Sequence, residues 1–440
     1  MGGSAAVTAS PGPERMLVGL LRAGHLAAWE QLPDLVAEHA ASAGLEEVLI
    51  YLADLQHTVL RLLTGEGLSG GESACEEITE LRVDATLAGR AFQEIRLLAG
   101  TETGGEGGEG GEGGDENVRR WWVPLLDGTE RLGVLRVGVK DGSDAQGRDN
   151  MRDLASLVAL LVVDKRPCSD SYACLVRTRP MHVAAEMQWT LMPPLTFADH
   201  RVSIAAALEP AYQVGGDAFD YALTGDVVHL EIFDAMGHDV SAGLTANLAV
   251  AACRNNRRQG ADLATNSQAI EQTLITEFGQ GTRFVTAILA DLNTLTGVIS
   301  WVNRGHHPPV VIRGGRWVTT LECPPAHPLG LDLGLPIMTC HTQLEPGDRV
   351  VFYSDGVTEA RNAAGREFGL SRFVDFIIRH TADGLPAPET LRRLVRGVLN
   401  HHDGRLQDDA TVLMLEWHGN ARERVPPAGA APESVIPALG

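Results

Sequence analysis

Aspartates that directly follow or precede apolar strand-like segments constrain this chain more than any other feature. In VVHLEIFDAMGHD, the apolar residues Val228, Leu230 and Ile232 alternate with Val227, His229 and Glu231, which predicts a strand running straight into Asp234. Three further segments share the arrangement: VGGDAFD with Asp217, RVVFYSDGVTEA with Asp355, and QDDATVLMLEW with Asp408 and Asp409. One strand-end aspartate is most often a turn former or a helix cap. Four such segments favour a shared acidic site instead.

Burying several carboxylates together is costly unless cations neutralise them. Asp217, Asp234, Asp355 and Asp408 would carry four negative charges, which two divalent ions would balance. Histidines and cysteines do not converge with these aspartates along the sequence, and ligand sets made only of oxygen favour Mg²⁺ or Mn²⁺ over zinc. The sequence therefore predicts a site for two Mn²⁺ or Mg²⁺ ions.

The length and net charge of the chain limit the number of domains and the kinds of partner that we expect. A chain of 440 residues is expected to form two or three domains. The 36 Lys and Arg against 57 Asp and Glu give a formal net charge of −21, which argues against nucleic-acid and anionic-membrane partners. The apolar run 154–163 is shorter than the ~20 residues that a membrane-spanning helix needs, and the N-terminus lacks the pattern of a signal peptide. We therefore expect a cytoplasmic protein.

Six motifs connect the acidic segments to a known family. AAEMQWTLMPP, VGGDAFDY, FDAMGHD, NRGHHPPV, YSDGVTEAR and DDATVLML occur in the order seen in the SpoIIE/RsbU-like branch of the PPM (PP2C-type) metal-dependent protein phosphatases. Residues 181–417 resemble this family, which implies an αββα sandwich of two antiparallel sheets flanked by helices. Residues 16–165 resemble a GAF sensory domain through their strand pattern and the segments TLAGRAF and VPLLDGTERLGVLRVGV.

We therefore expect an α+β protein in which a GAF-like α/β sensor domain precedes a PPM-type domain. The expected boundaries are a disordered start at 1–15, the GAF-like domain at 16–165, a linker with a regulatory helix at 166–195, the PPM/SpoIIE-type phosphatase domain at 196–417 and a disordered tail at 418–440. The stretch TETGGEGGEGGEGGDE at 101–116 lacks the Gly-Lys-Ser/Thr ending of a phosphate-binding loop, so we interpret it as a flexible surface insertion.

The resemblance also implies a role for each acidic residue. Asp217, Asp234 and the backbone carbonyl of Ala235 would hold one metal ion. Asp234, Asp355 and Asp408 would hold the other, with Asp234 bridging the two. Asp409 would be an outer-shell residue or an alternative ligand. A water shared by the two ions would attack phosphorus in line, without a phosphoenzyme.

The chain departs from the family pattern at several positions. Eukaryotic relatives have a histidine, proposed as a general acid, where this chain has Met236; His238 is an alternative, although a histidine that pairs with the backbone of the turn is favoured there. The arginine that clamps phosphate in eukaryotic members has no clear counterpart, with Arg201 in the neighbourhood. Asn303 and His306 of NRGHHPP are expected to shape a turn near the site, and a direct catalytic role for His306 is the alternative.

Weaker candidates have ordinary structural explanations. The string at 401–403, His-His-Asp, resembles a set of metal ligands but is interpreted as a polar loop. The six cysteines form no CxxC pair, so buried packing is expected and a disulfide scaffold is not. Cys75 has no surrounding pattern that supports chromophore attachment.

The function implied by resemblance is a phosphoserine/phosphothreonine protein phosphatase regulated by the GAF-like domain, which could bind a small molecule. Its substrate would be a phosphorylated STAS-type anti-sigma-factor antagonist in bacterial signalling. The helix predicted at 181–192, with Val183, Met187 and Leu191 on one stripe, would connect sensor and phosphatase in a homodimer. The alternative is a catalytically weak pseudophosphatase that acts as a signalling and binding module.

Overall fold

The computed structural model describes residues 12–65, 80–100, 119–140, 145–213, 215–237, 239–382, 385–402, 406 and 408–419. The chain divides into two compact units, Met1–Thr178 and Arg179–Gly440. The predicted surface insertion at 101–116 lies outside the described residues, as do residues 1–11 and 420–440 of the termini predicted to be disordered. Residues 12–15 of the predicted disordered start are instead the first turn of a helix.

The N-terminal unit is built around one antiparallel sheet. Its elements are α1 (Gly12–Gly24), α2 (Leu32–Ala40), β1 (Glu46–Ala53), β2 (Val59–Leu62), β3 (Glu80–Arg82), α3 (Leu87–Glu94), β4 (Leu98–Ala99), β5 (Arg119–Asp127), β6 (Glu130–Val139), α4 (Ala145–Lys165) and α5 (Asp170–Val176). The strand order is β3-β2-β1-β6-β5-β4. Strands β5 and β6 form a hairpin across LDGTE, in which Asp127 pairs with Glu130 and Gly128 takes a positive φ of 57°.

Alternation along the strands gives this sheet two buried faces. Ile50 and Leu135 point to the face that α1, α2 and α4 cover, whereas Tyr51 and Val134 point to the face that α3 covers. This mixed architecture is consistent with a sensor domain, and the assignment to the GAF family stays a prediction. The segment predicted as a linker with a regulatory helix, 166–195, contains a further helix, α5, which Ser169 caps.

The C-terminal unit contains two antiparallel sheets. Its elements are α6 (Val183–Leu191), β7 (Thr196–Ala198), β8 (Val202–Glu209), β9 (Asp217–Thr224), β10 (Val227–Ala235), α7 (Val240–Arg258), α8 (Leu263–Phe278), β11 (Val285–Asn293), β12 (Val298–Arg304), β13 (Val310–Arg313), β14 (Arg316–Thr320), β15 (Thr339–Gln343), β16 (Arg349–Tyr353), α9 (Asp355–Thr358), α10 (Leu370–Ala382), α11 (Ala387–His401) and β17 (Ala410–Trp417). The sheet orders are β15-β12-β11-β10-β9 and β14-β13-β16-β17-β8-β7.

The two sheets face each other across an apolar core, as the resemblance implied. Leu230 and Ile288 of the first sheet meet Phe352 and Leu413 of the second, and all four are buried. On the outer face of the first sheet, Phe233 packs with apolar residues of α7 and α8. The outer face of the second sheet is covered in the same way by α10 and α11. The αββα sandwich that the resemblance implied is confirmed.

A buried ion pair connects α8 to the end of β12. Arg304 is fully buried, and its guanidinium lies 2.6 Å from the carboxylate of Glu271. The same carboxylate lies 3.0 Å from Nε2 of His327 and accepts the backbone N–H of Asp332. Arg304 also donates to the carbonyl of His327 at 2.9 Å. The guanidinium already compensates the Glu271 charge, so we interpret this group as a structural network and not as a second metal site.

The helix α6 differs from its prediction in which face it buries. Ala184, Ala185 and Gln188 are buried, whereas Val183 is 75% exposed and Met187 is 44% exposed. Of the three residues predicted to share one apolar stripe, Val183 and Met187 face outward in the single chain, whereas Leu191 is partly buried against the apolar cluster that includes residues of α7 and α8. Small residues are on the inner side because they allow the helix to approach the body of the unit closely.

The cysteines and the His-His-Asp string also differ from expectation. Cys323 and Cys340 form a disulfide with a Cα–Cα distance of 5.8 Å, and Cys168 and Cys174 are exposed, so buried packing holds only for Cys253 among the described free cysteines. Residue 401 is the last residue of α11 instead of part of a loop. Among the described helices, none has the length and apolar character needed to cross a bilayer.

The buried network predicts a large stability effect for a small change. The substitution Glu271→Gln leaves the buried Arg304 without a counter-charge. We expect it to lower the free energy of unfolding of the C-terminal unit by about 3–5 kcal/mol. Denaturant unfolding followed by tryptophan fluorescence measures this. The matched control is Glu277→Gln, which changes an exposed glutamate on the same helix and should shift the free energy by less than about 0.5 kcal/mol. Equal effects of the two substitutions would contradict a stabilising role of the network.

Candidate metal centre

Strand register brings the first two predicted aspartates together. In the antiparallel pair of β9 and β10, Asp217 lies directly opposite Asp234. Ile232 and Phe219 point into the core between the sheets, and each is two residues from one of these aspartates. Since side chains alternate along a strand, Asp234 and Asp217 point to that same side. Both carboxylates therefore face the second sheet at the end of the sandwich.

The second sheet supplies the other acidic residues at the same end. Asp355 follows β16 by two residues and begins α9, while Asp408 and Asp409 immediately precede β17. Ser354 connects the two segments, because its hydroxyl donates to the carbonyl of Asp409 at 3.2 Å and accepts the N–H of Thr411 at 2.9 Å. The acidic ends of β16 and β17 are therefore held side by side.

Three glycines allow these segments to approach one another. A Cβ atom added at Gly216 would lie 2.3 Å from the carbonyl oxygen of Ala235, and one at Gly215 would lie 2.3 Å from the Asp409 carboxylate. A Cβ at Gly356 would lie 1.9 Å from the Asp409 carbonyl oxygen. Any side chain would displace the acidic segments, so glycine is required at all three positions.

The convergence of carboxylates raises the pKa of two of them. Burial raises the pKa of Asp217 well above its ordinary value, and the charges of Asp234 and Asp409 raise it further. Burial, followed by the charges of Asp355, Asp408 and Asp409, raises the pKa of Asp234 to about 7. Within the part of the chain that the structure describes, Oδ2 of the buried Asp217 has no hydrogen-bond partner. The ionised carboxylates of these aspartates therefore repel one another, and the buried Oδ2 of Asp217 has no described hydrogen-bond partner.

These residues fit a pair of hard divalent cations. The donor atoms are carboxylate oxygens together with the backbone oxygen of Ala235, which is the ligand chemistry that Mg²⁺ and Mn²⁺ prefer. Asp409 is buried and accepts the N–H of Asp217 at 3.3 Å, whereas Asp408 is exposed and accepts the N–H of Asp409 at 2.9 Å. Asp409 therefore lies on the buried side of the acidic group, and Asp408 lies on its solvent-exposed side.

Sequence reasoning missed several neighbours of this group. His307, Asp355 and Glu359 place one donor atom each within 4.8 Å of one another. The only available signal for Glu359 was its place one helical turn after Asp355. The side-chain amide of Gln188, on α6, donates to the backbone carbonyl of Asp217. Nothing in the sequence pattern indicated that this helix reaches an acidic segment.

Other sequence candidates lie elsewhere or outside the described residues. Arg201 pairs with Asp226 and lies beside Trp417, the end of β17 opposite the acidic edge, so it is not placed to clamp phosphate there. Met236 is 41% exposed, and residue 238 lies outside the described residues. The sequence has no lysine after Lys165, so the fixed cations of the C-terminal unit are arginines.

Comparison with known proteins finds similarity over the C-terminal unit. Residues 224–418 match the family described as Stage II sporulation protein E (SpoIIE). The chain is similar to the phosphoserine phosphatase RsbU of Bacillus subtilis, with 24% identity over 246 residues that cover 53% of this chain and 69% of the relative. It is also similar to protein IcfG of Synechocystis sp., with 25% identity over 252 residues, 50% of this chain and 39% of the relative.

Solved structures of the same kind are similar at low identity. The SiaA-PP2C domain of Pseudomonas aeruginosa has 21% identity and a TM-score of 0.45, covering 53% of this chain and 94% of that chain. A structure of the RsbU and RsbW domains of a Mycobacterium tuberculosis protein has 23% identity and a TM-score of 0.42, covering 52% of this chain and 63% of that chain.

The raised pKa of Asp234 predicts how the metal-free fold responds to pH. The folded state binds more protons than the unfolded state between the ordinary pKa of 3.8 and about 7, so rising pH destabilises the metal-free fold across this window. Asp234→Asn removes this effect. We expect the substitution to stabilise the chelator-treated protein, and to do so more at about pH 8 than at about pH 5, by up to ~3–4 kcal/mol.

Melting curves of both proteins in chelator at the two pH values measure the difference. Glu277→Gln serves as the control, because its exposed carboxylate has no comparable neighbours on the acidic edge. A stabilisation by Asp234→Asn that is the same at both pH values would contradict the electrostatic origin of the effect.

Proposed function

We propose that residues 224–418, which match the SpoIIE family, form a PP2C-type phosphatase domain and that this chain is a Mn²⁺- or Mg²⁺-dependent phosphoserine/phosphothreonine protein phosphatase. The observation that carries the proposal is the convergence of four acidic segments at one edge of the sandwich. A buried Asp217 oxygen without a described partner and an Asp234 whose pKa is raised to about 7 support cations as the missing counter-charge.

The proposed ligand sets follow the sequence interpretation. Asp217, Asp234 and the backbone carbonyl of Ala235 would hold one ion. Asp234, Asp355 and Asp408 would hold the other, and the buried Asp409 would support both sets of ligands. When bound, two such ions supply a shared water of lowered pKa and neutralise the phosphoryl oxygens during in-line attack. The protein fixes the ligands through its strand register, through Ser354 and through the close approach at its glycines.

A phosphorylated protein side chain is the proposed substrate. Asp408 is exposed and Asp355 is half-buried, so the acidic edge is open to a group carried on another protein. RsbU, to which the chain is similar, is named a phosphoserine phosphatase. Together with the family resemblance, this supports a phosphorylated STAS-type anti-sigma-factor antagonist as the partner in bacterial signalling.

Regulation is proposed to act through α6. Its buried Gln188 donates to the backbone carbonyl of Asp217, so a shift of this helix would move a proposed metal ligand directly. Val183 and Met187 leave an apolar face of α6 exposed in the single chain, which supports a homodimer formed through this face. The state of the GAF-like unit would then alter the position of α6 and thereby the occupancy of the metal site.

Removing the proposed bridging carboxylate should abolish metal-dependent turnover. We expect Asp234→Asn to lower Mn²⁺-stimulated hydrolysis of p-nitrophenyl phosphate and of a phosphoserine protein roughly 100-fold or more, because both ions lose a ligand. The circular dichroism of the variant should match the wild type, and Glu277→Gln should retain full activity. If folded Asp234→Asn kept Mn²⁺-stimulated turnover, the two-metal assignment would be wrong. If the wild-type protein showed no turnover, the pseudophosphatase alternative would be favoured.

The exposed face of α6 should matter for assembly and not for folding. We expect Met187→Lys to change the melting temperature little, since exposed substitutions usually cost within about 0.5 kcal/mol. It should nevertheless weaken the dimer in sedimentation velocity and change the Mn²⁺ dependence of turnover. Thr190→Lys places the same charge at another exposed position of α6 and is the control. An unaltered oligomer in Met187→Lys would contradict this role of the helix face.

A further inference from the structure

His306 lies between the two sheets next to the acidic edge. It is only 6% exposed. Its Nδ1 atom is 2.7 Å from the hydroxyl oxygen of Thr286, and its Nε2 atom is 3.1 Å from the backbone carbonyl oxygen of Tyr353. Thr286 belongs to the first sheet and Tyr353 to the second, so one imidazole ring spans both.

Each partner of the ring adjoins a proposed metal ligand. Thr286 lies directly opposite Asp234 in the pairing of β10 with β11. Tyr353 is the last residue of β16 and precedes Asp355 by two residues. The ring therefore connects the backbone beside Asp234 to the backbone beside Asp355.

The chemistry of the two partners sets the state of the ring. A backbone carbonyl can only accept, so Nε2 carries a proton and donates to Tyr353. Burial, together with His307, lowers the pKa of His306 to about 3, which keeps the ring neutral and leaves Nδ1 as an acceptor for the Thr286 hydroxyl. The ring thus makes one donated and one accepted hydrogen bond, and both are directional.

The surrounding turn holds the ring in place. The side-chain oxygen of Asn303 accepts the N–H of His306 at 2.9 Å, and its amide donates to the His306 carbonyl at 3.0 Å. Gly305 takes a positive φ of 75° and bridges in parallel to Ala287, the neighbour of Thr286. The backbone on either side of the imidazole is therefore fixed to the first sheet.

We propose that His306 is a positioning residue that spans the two sheets and sets the spacing between the Asp234 and Asp355 segments. It determines metal affinity through that spacing and takes no part in proton transfer. The inference rests on the proposed metal-dependent function. It assigns to the second half of NRGHHPP a task distinct from shaping a turn.

Two conservative variants separate the two contacts. His306→Asn keeps an acceptor near Thr286 but does not reach Tyr353, whereas His306→Gln keeps a donor toward Tyr353 but not the Thr286 contact. Because His306 joins the two sheets only when it contacts both Thr286 and Tyr353, we expect each variant to weaken Mn²⁺ binding about tenfold, as measured by calorimetry. The Mn²⁺ concentration that gives half-maximal turnover should rise by a similar factor.

The exposed His341 on β15 provides the control His341→Asn, which should leave Mn²⁺ affinity unchanged. In the wild type, ¹⁵N spectra should show His306 as the neutral Nε2–H tautomer throughout the working pH range. If the variants melt at lower temperature but bind Mn²⁺ as tightly as the wild type per folded molecule, the ring is only core packing and the proposal is overturned. A wild type that binds no Mn²⁺ would instead overturn the proposed function.

Discussion

The repulsion among carboxylates at one edge of the sandwich is the constraint on which the C-terminal unit depends. Asp217 and Asp234 come from one sheet, and Asp355, Asp408 and Asp409 come from the other. Burial and mutual charge hold the pKa of Asp234 near 7 and that of Asp217 well above its ordinary value. The carboxylates stay close together despite this repulsion because strand register, the close approach at three glycines and the hydrogen bonds of Ser354 fix the backbone that carries them. Such a placement is useful only where cations compensate it.

Rigid buried contacts surround this unfavourable edge. Arg304, Glu271 and His327 hold the end of β12 to α8, and the next residues along the chain carry the imidazole that spans the sheets. An electrostatically strained site therefore lies beside a buried, hydrogen-bonded ion-pair network. Buried polar networks help to specify a single arrangement of the backbone, and carboxylates that repel one another need such support to stay close together.

Local patterns were enough to predict the four acidic segments, whereas the αββα sandwich was implied by the family resemblance that these segments carry. Period-two alternation in VVHLEIFD identified the strand that leads into Asp234, because strand geometry places alternate side chains on opposite faces. Contacts between distant segments were beyond such reasoning. The amide of Gln188 meets Asp217 across 29 positions, and Cys323 meets Cys340 through a loop without periodicity. The outward face of α6 was also unpredictable, since an apolar stripe indicates burial against something without stating what.

A metal site assembled from two sheets would also couple the proposed catalytic activity to the lifetime of the protein. Ions bound there would be cross-links between sheets, and a ligand that binds only the folded state stabilises it by mass action. Depletion of the metal would then stop turnover and also raise the population of partly unfolded molecules. Cellular proteases degrade such molecules. The abundance of this protein in a cell would consequently track the availability of its metal.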